Sequence, residues 1–206
     1  MPEKARFEPA PSRGLLGLAA FTSAYMGVAS FAAWHTGNQE FLFYIGVMVV
    51  LIGAVLLVRH RAGFSRGLLW ALAIWGLAHM AGGLMPVPGD WPIAGDIRVL
   101  YSWWLIPNYL KYDHVVHAYG FGVTTWACWQ GLQRATGVSR PTLGLLVLCA
   151  AGGMGFGAAN EIVEFLATLL VPSTNVGGYE NTGWDLVANF IGSGIAGFLI
   201  GWRSKA

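Results

Sequence analysis

His79, the Asp113/His117 pair, the Glu161/Glu164 pair and the Asp185/Asn189 pair are strongly polar positions in or beside otherwise apolar stretches of this chain. Ionisable groups within a bilayer are costly and seldom occur there without a partner or a role, which makes these residues the first candidates for a site. Residues three or four apart share a helix face, so each pair can point inward together, while His114 falls one step off the Asp113/His117 face. Imidazole nitrogens and carboxylate oxygens suit zinc, manganese or another divalent first-row metal with a position left open for water. In that arrangement His79, Asp113, His117 and one of Glu161 or Asp185 are ligands. Glu164 is then the general base for a metal-bound water whose pKa falls to about 7, a nucleophile for ester, amide or phosphate cleavage at the membrane surface. Without a metal, the same residues form a proton-handling or substrate-binding cluster, as a transporter would use. A third reading is a hydrogen-bond network that fastens helices together, at ~0.6 to 2 kcal/mol per contact.

The elements that must position these groups follow from composition. Hydrophobic residues make up 55% of the 206-residue chain, charged residues only 11%, and the mean hydropathy is +0.55. Soluble domains carry about 25% charged residues, so this is the composition of a membrane protein. A net charge of +2 gives no indication of nucleic acid. The two cysteines, Cys128 and Cys149, lie in apolar stretches and read as small packing residues rather than a disulfide or a thiolate metal site.

A helix crossing ~30 Å of hydrocarbon needs about 20 apolar residues. Six segments approach or meet this: Gly14 to Trp34, Phe41 to Val58, Leu68 to Met85, His114 to Leu132, Leu143 to Val171 and Trp184 to Trp202. The expectation is an all-α, polytopic transmembrane bundle of about six spans in one integral membrane domain over 1–206, preceded by a polar tail at 1–13. The first apolar run is longer than a signal-peptide core and reads as a retained span. Tryptophans 70, 91, 184 and 202 lie near span ends, as expected of the interfacial belt. A further stretch, Ile97 to Leu110, is too short to cross and reads as an interfacial or re-entrant piece.

Lys and Arg fall on alternate loops. Lys4, Arg6, Arg13, Arg59, Arg61, Arg66, Arg134, Arg140, Arg203 and Lys205 lie on one side, and only Arg98 and Lys111 on the other. The positive-inside rule therefore expects both termini in the cytoplasm of a bacterial-type inner membrane. With that orientation, every polar candidate falls in the outer half of its span. Small residues accompany them, with Gly153 and Gly157 four apart in the fifth span and Gly192, Ala196, Gly197 and Gly201 in the sixth; such spacing lets helix backbones approach closely.

The series HMAGG at 79–83, YDHVVHAYGFG at 112–122, NEIVEF at 160–165 and WDLVANFIGSGIAG at 184–197 resembles the YjdF-type inner-membrane proteins of uncharacterised function. More distantly it resembles the VanZ-like proteins, over roughly residues 70–202. The resemblance implicates His79, Tyr112, Asp113, His117, Glu161, Glu164, Asp185 and Asn189, and implies a polytopic membrane protein. Through the VanZ-like relatives it implies a link to glycopeptide antibiotic resistance or the cell envelope, without an established reaction. Membrane lipid is the expected partner, and a lipid or envelope precursor the candidate substrate. The glutamine-and-arginine stretch of the VanZ pattern is replaced here by Glu164.

The loop VPSTNVGGYENTG at 171–183 is rich in turn formers and reads as either a connector or a lid over the outer site. Tyr101, Trp103, Trp104 and Tyr109 on the preceding outer loop read as interfacial anchors or as one wall of a lipid-entry groove. The chain has neither a dinucleotide fingerprint nor a P-loop, and neither a G-x-S-x-G elbow nor an H-E-x-x-H pair. Pairs that mix His with carboxylate also suit haem poorly.

Overall fold

The computed structural model of the protein describes residues 12–204, so Lys4 and Arg6 of the polar tail and Lys205 lie outside the described residues. Each apolar window forms a helix: α1 Ser12–Thr36, α2 Gln39–Ala62, α3 Arg66–Leu84, α4 Tyr112–Thr136, α5 Leu143–Leu170 and α6 Tyr179–Arg203. Local chemistry sets their ends. Asn38 accepts the Phe41 amide at 3.0 Å to start α2, and Ser65 accepts the Leu68 amide at 3.2 Å to start α3. Gly63 and Gly137 end α2 and α4 with φ of 69° and 74°, in the left-handed region that a Cβ disfavours.

Five of these helices are long and apolar enough to cross a membrane. The exception is α4, which has the length but carries Asp113, His114, His117, Thr124, Thr125, Gln130 and Gln133. Its position explains the difference. Helix α4 packs against α2, α3, α5 and α6, and its most extensive contact is with α6, so the buried His114, His117 and Thr125 face protein instead of lipid. Across the bundle, polarity is inverted relative to a soluble protein. Phe31, Leu57 and Phe198 are 71%, 80% and 70% exposed, whereas Asp185, Asn189 and His117 are 0%, 1% and 5% exposed. An outer surface of apolar side chains around a polar interior is the arrangement a bilayer stabilises.

Glycines set the closest helix contacts. A Cβ on Gly192 would strike the Ala118 backbone of α4, and one on Gly157 would meet the Asn189 amide at 2.6 Å. A Cβ on Gly153 would strike the Thr125 hydroxyl and lie 2.8 Å from that of Ser193. On the other side of the bundle, Tyr25, Ala29 and Ala33 of α1, Phe41, Tyr44 and Met48 of α2, and Met80 of α3 form an apolar core.

The stretch between α3 and α4 is short of a span. Ile97 to Leu110, read as an interfacial or re-entrant piece, folds as a 3-10 turn at Leu100–Ser102 followed by an antiparallel hairpin, β1 Trp104–Ile106 and β2 Leu110–Lys111. Pro107 cannot donate to a ladder, and Asn108 adopts φ 65°, a conformation Asn tolerates better than most residues; together they make a turn. Backbone bridges Pro86↔Val99 and Ile93↔Trp103, with Trp91 and Trp103 rings 4.2 Å apart, join the hairpin to the preceding loop. The result is a compact cap on the end of the bundle where α3 stops and α4 starts.

The loop after α5 is fastened to this same end. The Asn175 amide donates to Glu40 Oε2 at 2.8 Å, its side chain donates to Ser102 Oγ at 3.2 Å, and Val176 packs against the apolar core. Helix α6 then begins at Tyr179, before the apolar window at Trp184, which brings Asn181 into its first turn.

Candidate functional site

The capped end of the bundle holds the polar residues. His117 is at their centre and is contributed by α4. Its Nδ1 lies 3.1 Å from Asn189 Oδ1 on α6 and 3.5 Å from Glu161 Oε1 on α5; its Nε2 lies 3.6 Å from Asp113 Oδ1 and 3.7 Å from Glu164 Oε1. An amide oxygen only accepts, so Nδ1 is the donor in the contact with Asn189, and in the neutral tautomer this implies Nε2 keeps its lone pair. A histidine oriented in this way through one nitrogen, with the other unprotonated, is the usual state of a metal ligand.

Two groups of possible ligands share His117. In each of Asp113/His117/Asp185 and His117/Glu161/Glu164, one ligand atom per residue lies within 4.8 Å of the others. The i, i+4 spacing on α4 and the i, i+3 spacing on α5 give each pair a common face, and the glycine contacts bring those faces together. Two ionised carboxylates at such a distance repel by ~3 to 4 kcal/mol at an effective dielectric of ~20, so four of them call for compensating charge or bound protons. Lys111 supplies part of that charge. Its ammonium lies 3.1 Å from Asp113 Oδ2 and also donates to Asn181 Oδ1.

Several buried polar atoms in this cluster lack a hydrogen-bond partner: both carboxylate oxygens of Glu161, Asp185 Oδ1 and Asn189 Nδ2. The remaining groups are well held. Asn181 Nδ2 donates to Asp185 Oδ2 at 2.6 Å, and Asn160 Nδ2 donates to Glu164 Oε1 at 2.7 Å. Deeper in the bundle the polarity ends in locally satisfied hydroxyls, with Thr125 and Ser193 both donating to the Phe121 carbonyl, at 2.9 and 3.4 Å.

The structure brings together Asp113, His117, Glu161, Glu164, Asp185 and Asn189, but places two other candidates apart. His79 belongs to neither ligand group. Its Nδ1 pairs with the Tyr101 hydroxyl, and its ring sits among Phe41, Tyr44 and Trp75. Burial and the nearby Asp113 and Glu164 carboxylates push the Tyr101 phenol well above its ordinary pKa, so it stays a protonated donor. Tyr112 reaches away from the cluster and donates to the Ala78 carbonyl at 3.1 Å, tying α4 to α3. His114 accepts the Lys111 amide at 3.3 Å at the start of α4, between Trp104 and Trp184.

Sequence reasoning passed over Lys111, Asn160, Asn181 and Glu40. Two of these carried a usable signal. Asn160 is four before Glu164, and Asn181, Asp185, Asn189 and Ser193 form an unbroken i, i+4 series along one face of α6. A groove of 640 Å³ between α4 and α6, lined by residues such as Trp126, Trp129, Ile195 and Leu199, contains none of the cluster, which lies enclosed between the helices.

Comparison with known proteins agrees with the membrane architecture. No curated protein and no solved structure matches the chain. The VanZ-like link finds no support, whereas the YjdF-type resemblance does, because those proteins make up the matching family. The family model described as "Predicted membrane protein (DUF2238)" matches residues 15–206, and the chain belongs to that family.

Proposed function

We propose that the protein binds a divalent cation, zinc or manganese, in the His117 cluster and uses it to hydrolyse a lipid or envelope precursor at the external face of a bacterial-type inner membrane. One observation carries this reading: both oxygens of the buried Glu161 carboxylate lack a hydrogen bond although they lie beside the His117 imidazole, with Oε1 3.5 Å from Nδ1. A purely structural network would satisfy those atoms, because an unpaired polar group buried away from water is destabilising. A cation satisfies them.

When bound, the metal supplies a water acidified to about pKa 7. The His117 imidazole and one carboxylate group would hold the ion, and the carboxylates of the other group would accept the proton released by the attacking water. Asn189, Asn160 and Asn181 fix the imidazole and two of the carboxylates in place, which spares reorganisation during reaction. The enclosure of the cluster favours a second reading, in which the same groups bind a ligand or couple protons to transport without hydrolysis.

The test is elemental analysis of the protein purified in mild detergent. Near-stoichiometric zinc or manganese is expected, retained in His79→Gln because His79 stands outside both ligand groups. Hydrolysis of lipid phosphates and esters is then assayed with the loaded protein. Absence of metal from the wild-type protein would leave the ligand-binding or proton-coupled reading in its place.

The external location of the site rests on the excess of Lys and Arg on the opposite loops. In a background lacking Cys128 and Cys149, an impermeant thiol reagent applied from outside should label Glu180→Cys, near Asp185, and spare Thr136→Cys, near Arg134. Both chosen positions are exposed. The reverse pattern would invert the topology.

A further inference from the structure

We infer that Lys111 is a built-in counter-ion for the Asp113/Asp185 side of the cluster, so that the divalent cation seats at His117, Glu161 and Glu164. This rests on the cation-binding reading above and assigns the ion to one of its two ligand groups. Lys111 is 8% exposed, unusual for a lysine, and lies where the cap hairpin runs into α4. Its ammonium is 3.1 Å from Asp113 Oδ2 and also donates to Asn181 Oδ1, while Asn181 Nδ2 donates to Asp185 Oδ2 at 2.6 Å. One oxygen of each aspartate is therefore already engaged, directly by a positive charge for Asp113 and through Asn181 for Asp185. A divalent ion placed between these two carboxylates would lie against a fixed ammonium.

The opposite side has no such charge. Glu161, with a side chain 8% exposed, makes no hydrogen bond through either oxygen and has the His117 imidazole 3.5 Å away, and Glu164 accepts from the neutral Asn160 amide. One ligand atom each from His117, Glu161 and Glu164 lies within 4.8 Å of the others. Two carboxylates and a neutral imidazole balance a 2+ ion, a donor set common to zinc and manganese. The two halves of the cluster thus divide their compensation between a tethered cation and a bound one.

The experiment uses the full chain in detergent with manganese as the probe, bound ions being counted by electron paramagnetic resonance and by elemental analysis. Glu161→Gln and Glu164→Gln are each expected to weaken binding at least about 10-fold, while Asp185→Asn stays within about two-fold of wild type. Lys111→Met should free the Asp113/Asp185 side to compete for the one ion, so that in this background Glu161→Gln no longer weakens binding about 10-fold, and Lys111→Arg should keep the wild-type pattern. If Asp185→Asn loses the ion while the glutamate variants keep it, or if Glu161→Gln weakens binding equally in the wild-type and in a well-folded Lys111→Met background, the assignment is overturned. Should Lys111→Met not fold, the contrast between Asp185→Asn and the glutamate variants decides. Wild-type protein with no manganese or zinc would remove the cation reading itself, an outcome distinct from the wrong pattern among variants.

Discussion

The His117→Ala protein is expected to insert in normal amount yet to hold divalent cation more than about 100-fold less tightly than wild type, with hydrolytic activity lost to the same extent. The magnitude follows from position. Loss of a residue that merely orients a ligand costs about 10- to 100-fold in metal affinity, and His117 is the ligand common to both groups. Its removal leaves Glu161 and Glu164 on α5 without the third donor that α4 provides, and leaves Asp113 with Lys111. Insertion should survive because the spans enter the membrane on apolar character, which this substitution does not lower. His60→Ala, at an exposed position near the end of α2, is the control and should match wild type in both metal content and activity. Full metal content in His117→Ala would remove the cluster as the site.

Gly192→Val should have the largest effect on folding, destabilising the bundle by about 3 kcal/mol or more, the upper part of the range for overpacking. The atoms that a Cβ would strike at Gly192 are the backbone carbonyl and Cα of Ala118, which cannot swing aside as a side chain could. Helix α6 would have to move off α4 along their most extensive contact. Asn189 lies one turn before Gly192 and His117 next to Ala118, so the same displacement separates Asn189 from His117 and weakens the site as well. Gly194→Ala is the matched control, because a Cβ there meets nothing within 4 Å. Thermal unfolding in detergent, read by loss of monodisperse protein on size exclusion, should show a large drop for Gly192→Val and little for Gly194→Ala. Ala118→Gly should fail to rescue Gly192→Val, since the clash is with backbone.

The parts of this molecule that were legible in advance are those governed by short-range periodicity. The six apolar windows became helices because burial of apolar side chains and internal satisfaction of backbone groups act along a single segment. Asp113/His117, Glu161/Glu164 and Asp185/Asn189 converge as pairs because i, i+3 and i, i+4 spacing is a property of one helix. The same periodicity reaches Asn160, four before Glu164 on α5, and Asn181, four before Asp185 in the first turn of α6. Hydropathy was a weaker guide to α4, whose polar residues are tolerated because neighbouring helices surround it.

Other features depended on contacts between distant parts of the chain. His79 has the same residue type and a similar expected depth as His117, yet it pairs with Tyr101 in an aromatic surround, a partner reached only because the 85–111 stretch folds back as a cap. Lys111 counted merely as a loop charge until the hairpin brought it to Asp113 and Asn181, and Glu40 acquired its role from Asn175, far along the chain. By itself, then, the sequence determined a membrane protein of six helical segments with paired polar faces, since those follow from composition and helix geometry. Only the tertiary structure decided which faces meet, which histidine lies at the centre and which carboxylates a lysine already occupies. Those outcomes depend on helix rotation and separation, fixed by close contacts such as Gly192 on Ala118, and no local spacing encodes them.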